Sequence, residues 1–180
     1  MRLFLALELP DRAGDRFYEG LERVRSVSVS GNFTRRENIH LTLIFLGEQP
    51  ETSQGDIREA MDSLPLSPVT LTIGPLERFR SRDRDTLVRL AEKTPALMTL
   101  QGALEKALRL RGFATEERSY RPHLTVGRKV VLRPGTTLDA LNQEAELLTA
   151  RIGKMTLFWS HRVDGILTYT PLYSRCLPFS

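Results

Sequence analysis

Hydrophobic and polar positions change their spacing several times along the chain, and each change marks an element. Residues 2–9 (RLFLALEL) are nearly continuous in apolar side chains and read as a buried strand, stopped by Pro10. From 11 to 27 the apolar residues Phe17, Leu21 and Val24 fall four and three apart, which is one face of a helix, with Asp11 placed to cap it. Asn38 to Leu46 reads as a strand closed by Gly47, and Thr52 to Leu64 as a helix ended by Pro65. Strands at Val69 to Phe79 and Thr86 to Ala91 flank the charged turn RSRDRD. Pro95 to Leu110 has proline near its start and Gly112 past its end, the usual punctuation of a helix. A strand at Pro122 to Val131, a helix at Thr137 to Leu148 and strands at Ala150 to Trp159 and Ile166 to Leu172 complete the pattern. Strands do not alternate regularly with helices, so an α+β fold with antiparallel sheets is expected over a doubly wound parallel one.

Composition narrows the class without deciding the partner. A chain of 180 residues can bury a sizeable core and form one domain across 1–180. Hydrophobic residues at 41% and charged residues at 27% are those of a soluble globular protein. No apolar run is long enough to span a bilayer, which excludes a membrane protein. The opening stretch lacks a small-residue cleavage site and reads as a first strand, not a signal peptide. The lone Cys176 cannot form an internal disulfide and has no Cys/His spacing for zinc, in keeping with a reducing cytoplasm. A net charge of +4 suits a polyanionic partner but equally an ordinary solvated surface. Arg35-Arg36 and Arg78, Arg80, Arg82 and Arg84 are interleaved with acidic or polar residues and read as solvated faces.

Chemistry enters through a repeated triplet. Of three histidines, two stand in His-Leu-Thr, at residues 40–42 and 123–125. In a strand, side chains at i and i+2 share a face, so His40 and Thr42 point one way and Leu41, Leu43 and Phe45 the other. His123 and Thr125 repeat this against Leu124 and Val126, and Gly127 continues the polar face with room for a ligand. One such triplet reads as the wet side of a half-covered sheet. Two copies, using two of three histidines, point to a shared task. A pair of histidines makes a poor metal site, because protein sites usually supply three or four ligands. The pair suits acid–base work: near neutral pH one imidazole can be neutral and take a proton while the other, protonated, gives one. The threonine hydroxyls are placed to hold the non-bridging oxygens of a phosphoryl group. No divalent ion or other cofactor is required.

The segments ENIHLTLIFLGE (37–48) and RGFATEERSYRPHLTVGR (111–128), with LFLALELP at the start and MTLFWSHRVDGILTYTPLYS near the end, resemble the 2H phosphoesterase superfamily. Within it they look like the RNA 2′,3′-cyclic phosphodiesterase branch, once described as 2′-5′ RNA ligases. The resemblance covers nearly the whole chain. It implies a two-lobed α+β fold with pseudo-twofold symmetry, antiparallel sheets flanked by helices, and a central cleft. It implies His40 as proton donor to the 3′ oxygen, His123 as proton acceptor activating water, and a 2′-phosphomonoester product. Thr42 and Thr125 would bind the phosphate, Arg128 matches a basic residue able to approach it, and Phe33 matches an aromatic able to stack on a base. Ser160 and Tyr169 fit the terminal pattern and read as structural or lining residues. Glu37 and Asn38 read as shaping the strand entry, and His161, outside any HxT context, as non-catalytic. The implied substrates are RNA or nucleotides with 2′,3′-cyclic phosphate ends, met by a monomer. The alternatives are a 2′,5′-linked oligonucleotide or small cyclic nucleotide at the same machinery, or a non-catalytic RNA-binding module. ATP-dependent ligation lacks a nucleotidyl-lysine motif or P-loop.

Overall fold

The computed structural model describes residues 1–80 and 85–178, so the charged turn expected at 80–85 lies largely outside the described residues. The elements run β1 (Arg2–Glu8), α1 (Asp11–Ser26), β2 (Ser28–Phe33), a 3₁₀ turn (Arg36–Asn38), β3 (His40–Glu48), α2 (Gln54–Asp62), β4 (Val69–Phe79) and β5 (Thr86–Ala91). They continue with α3 (Pro95–Arg109), β6 (His123–Leu132), α4 (Leu138–Glu144), β7 (Leu148–Ile152), β8 (Lys154–Val163) and β9 (Ile166–Cys176). The fold is α+β.

The strands lie in the order β7-β4-β5-β6-β3-β1-β8-β9, with β2 pairing β6 off this path. Every pairing is antiparallel. The order divides into matching halves, β3-β1-β8-β9 and β6-β5-β4-β7, whose innermost strands each begin with a histidine. The halves meet through one pair, Leu41 opposite Leu124, both fully buried. So narrow a seam leaves β3 and β6 free to diverge while fixing the register at the two triplets.

Alternation assigns the faces. Leu3, Leu5 and Leu7 of β1 enter the main core with Phe17 and Leu21 of α1, Ile57 and Met61 of α2, and Leu97 and Leu104 of α3. Each such buried side chain contributes about 1.5–3 kcal/mol. Phe4 and Ala6 point the other way, into a small cluster with Phe158 and Tyr169. The helices therefore cover one side of the sheet and the two histidine triplets face the other.

Several boundaries differ from the sequence reading. Asp11 does not cap α1: Pro10 holds that position, and Asp11 lies inside the first turn, where its charge complements the N-terminal dipole. In α3, Thr94 is the cap, its hydroxyl accepting from the Leu97 amide at 3.3 Å ahead of Pro95. The last expected helix ends at Glu144, because Leu148, Ala150 and Ile152 are buried at strand spacing and pair with β4. The single strand expected at 150–159 is two, β7 and β8, in opposite halves of the sheet. The core parity, even up to Ile152 and odd from Met155, changes across Gly153. β2 was not expected: SVSGNF has weak strand propensity and becomes a strand by pairing with β6.

Candidate active site

Each triplet histidine opens its strand and is fixed in the same way. The His40 Nδ1 lies 2.8 Å from the Asn38 carbonyl oxygen, and the His123 Nδ1 lies 2.7 Å from that of Arg121. A carbonyl oxygen can only accept, so in both rings Nδ1 carries the proton and Nε2 holds the lone pair in the neutral form. The two sites are equivalent even in the offset, a carbonyl two residues back. Because Leu41 pairs with Leu124 in an antiparallel register, one step to either side sets His40 across from Thr125 and Thr42 across from His123. All four share the face opposite the helices.

The surroundings differ. His40 is wedged among aromatic rings: Phe4 at 4.9 Å, Tyr169 edge-on at 5.2 Å and Phe158 at 6.4 Å. Desolvation by these neighbours lowers its pKa to about 4, with the charges of Arg128 and His123 adding to the effect. Its bond to Asn38 and the carboxylate of Glu8, directly opposite in β1, act in the reverse sense. The Thr42 hydroxyl lies 3.0 Å from His40 Nε2 and donates to it in the neutral ring. His123 meets the Phe79 ring edge-on at 4.9 Å. Burial lowers its pKa as well, opposed by the Arg121 carbonyl and reinforced by Arg121 and Arg128.

Arg128 belongs to both halves of the site. Its charge is felt by His40, His123 and Tyr169, which lie on β3, β6 and β9. A cation there makes the space beside the two imidazoles electropositive. The structure thus brings together His40, Thr42, His123, Thr125 and Arg128. It does not bring Phe33 to them: that ring packs on the core beneath the Arg25 guanidinium, 5.1 Å away. Nor does Gly127 leave room for a ligand. A Cβ there would meet Val130 at 2.9 Å, the Asn32 carbonyl at 3.2 Å and Phe33 at 3.2 Å, because β2 fills the space.

Two positioning residues, Tyr120 and Phe79, escaped the sequence reading, and a third, Asn38, was read there only as shaping the strand entry. Tyr120 donates its hydroxyl to the Thr42 carbonyl at 2.9 Å, tying the segment before one triplet to the backbone of the other. Burial raises its pKa, so the donor stays protonated. Asn38, 7% exposed, offers its carbonyl to His40 and its side-chain amide to the Leu167 carbonyl at 3.0 Å, holding β9 against the 3₁₀ turn. Phe79 walls His123. No sequence signal marks Tyr120 or Phe79, since their partners are distant in the chain. Ser160 lies in β8 opposite Tyr169. His161 stands apart, stacked on Trp159 at 3.8 Å and hydrogen-bonded to Thr170 at 2.7 Å. Among the described residues no three His, Cys, Asp or Glu side chains cluster as metal ligands, and no helix is long and apolar enough to cross a membrane.

A two-half antiparallel fold with paired histidine triplets defines a family, and the chain belongs to it: the 2'-5' RNA ligase superfamily, whose family model matches residues 10–164. An RNA 2',3'-cyclic phosphodiesterase of Methanocaldococcus jannaschii is 27% identical over 128 residues, 71% of each chain. One of Methanothermobacter thermautotrophicus is 30% identical over 178 residues, 96% of each chain. A crystal structure of E. coli LigT complexed with 3'-AMP has the same fold, with a TM-score of 0.78 at 22% identity over 98% of this chain and 97% of that one.

Proposed function

We propose that this chain hydrolyses terminal 2′,3′-cyclic phosphates on RNA to 2′-phosphomonoesters, with His40 as proton donor and His123 as proton acceptor. The observation that carries the reading is the matched pair of imidazoles, each with Nδ1 bonded to a carbonyl two residues back and Nε2 presented to one face. The names of the curated relatives support the substrate class.

In the proposed reaction the phosphate lies between the rings, against Arg128 and the hydroxyls of Thr42 and Thr125. His123 Nε2 takes a proton from water as its oxygen attacks phosphorus. The bond from phosphorus to the ribose 3′ oxygen breaks, and that oxygen receives the proton from His40 Nε2. Burial keeps both imidazoles largely neutral in the free protein at pH 7, so the proton His40 donates is taken up with the substrate. The phosphate anion, with Glu8 behind the ring, favours the imidazolium. Protons in and out balance through these two rings, and the reaction calls on no divalent ion. One chain supplies every group, so a cytoplasmic monomer is sufficient.

The test is hydrolysis of an oligonucleotide ending in a 2′,3′-cyclic phosphate, measured in EDTA. Turnover should persist in chelator and fall about 10²- to 10⁴-fold in His40→Ala and in His123→Ala. Loss of activity in EDTA, or near wild-type turnover in either variant, overturns the reading.

A further inference from the structure

On the helix-covered side of the sheet, a cavity of about 60 Å³ lies between α1 and the α4–β7 connection, over β4, β5 and β6. Leu21, Leu76, Val126, Leu141 and Leu148 give it apolar walls, and of its lining residues only Arg89 is both charged and buried. The Arg89 Nε donates to the Gly74 carbonyl at 2.8 Å, and Nη2 to those of Glu146 at 2.6 Å and Ile73 at 3.2 Å. Nη1 has no hydrogen bond among the described residues and faces Gly20 of α1. A Cβ on Gly20 would stand 4.0 Å from Nη1 and meet nothing else beyond its own helix. Among the described residues no carboxylate pairs with this guanidinium, and burial lowers its pKa with no opposing charge. Carbonyl dipoles solvate a cation but leave its charge uncancelled, and a buried charge is held at least cost beside a counter-ion. The acids at the mouth do not supply one: Glu19, Glu144 and Glu146 are exposed, and Glu146 is paired with Arg16.

We infer that this cavity is a binding site for a small aliphatic monocarboxylate, its carboxylate on Arg89 Nη1 and its carbon chain against the leucine and valine walls. Size sets the upper limit. At about 10–15 Å³ per water-sized group the cavity takes about four to six non-hydrogen atoms, the span from acetate to butyrate. Water would satisfy Nη1 but not its charge, and it finds few partners along apolar walls. Charge at the mouth sets the class: three exposed carboxylates stand there against Arg16 and Arg23, and a second anionic group on the ligand would lie among them. Glycine is unfavourable inside a helix, and at position 20 its lack of a side chain keeps the space before Nη1 open. The site is separate from the histidine cleft. On β6, Val126 lines the cavity while His123 and Thr125 face the other side of the sheet, so occupancy does not depend on the proposed reaction.

Titration of the whole protein with sodium propionate, against sodium chloride at the same ionic strength, tests this by NMR. Propionate should saturate with a Kd of about 1 mM, and about fourfold more tightly than acetate, the worth of one buried methylene. Succinate, with a second carboxylate, should bind more weakly than propionate. Nuclear Overhauser contacts from the propionate methyl protons should reach the methyl groups of Leu21, Leu76 and Val126. Gly20→Leu, which fills the cavity and leaves the three carbonyl bonds of Arg89 in place, should weaken propionate binding about tenfold or more. Arg128→Ala, in the histidine cleft, should bind propionate as the wild type does. A response no larger than that to chloride, succinate binding as tightly as propionate, loss of binding in Arg128→Ala, or wild-type affinity in Gly20→Leu would each overturn the assignment. If Gly20→Leu does not fold, the Overhauser contacts in the wild type decide: contacts in the histidine cleft, or none to the cavity walls, overturn it as well.

Discussion

Burial of His40 makes the stability of this protein depend on pH in a way one substitution can isolate. The folded pKa, about 4, lies below the ordinary 6.5. The neutral ring is therefore favoured on folding, and the contribution is present above pH 6.5 and lost as pH falls toward 4. At about 1.4 kcal/mol per unit, the wild type forfeits about 3 kcal/mol over that interval. This is the upper end, since the ring keeps some access to solvent at the cleft. His40→Asn removes the titration while keeping an N–H that can reach the Asn38 carbonyl. Urea unfolding of both proteins at about pH 7.5 and about pH 4 subtracts the carboxylates and His123, which titrate in each. The wild type should lose about 2–3 kcal/mol more than the variant over this range. Equal losses would show that the aromatic cage of Phe4, Phe158 and Tyr169 does not desolvate the ring. A titration of the His40 C2 proton by NMR would locate the error.

Three further outcomes follow from the same geometry. The kcat/KM profile reports the free protein, so it should peak below pH 6.5, and the alkaline limb of kcat should lie at higher pH because bound phosphate favours the imidazolium; coincident limbs would contradict this. Those limbs belong to the histidine pair and not to single residues. Thr42→Val and Thr125→Val should each lower kcat/KM by about 10- to 100-fold with little change in melting temperature, and an unchanged rate in both would remove the hydroxyls from the phosphate site. Arg89→Met should cost about 2–4 kcal/mol in chemical unfolding and spare kcat, because the guanidinium of this residue, 8% exposed, donates to the carbonyls of Gly74, Ile73 and Glu146, and Arg89 pairs with Leu124, whose side chain is on the face opposite the histidines.

Much of this protein is local and was therefore legible in its sequence. Alternation over His40–Leu43 and His123–Val126 put each histidine and threonine on one face. Phe45, expected with Leu41 and Leu43, is 37% exposed, because the β1–β3 register shifts and Ile44 and Leu46 are buried instead. The spacing of Phe17, Leu21 and Val24 announced a helix face that the structure buries. Two copies of a triplet disclosed a paired site because strand period is a property of the backbone and independent of context. What lies across the sheet was not legible. β2 exists because β6 offers it an edge, and its arrival turned Gly127 and Phe33 from expected ligand contacts into packing. Tyr120 reaches Thr42, and Asn38 reaches Leu167, over separations no local pattern encodes. The chain alone determined which side chains could do acid–base chemistry. Tertiary structure decided their tautomers and their unequal burial, because each depends on neighbours that only folding brings into contact.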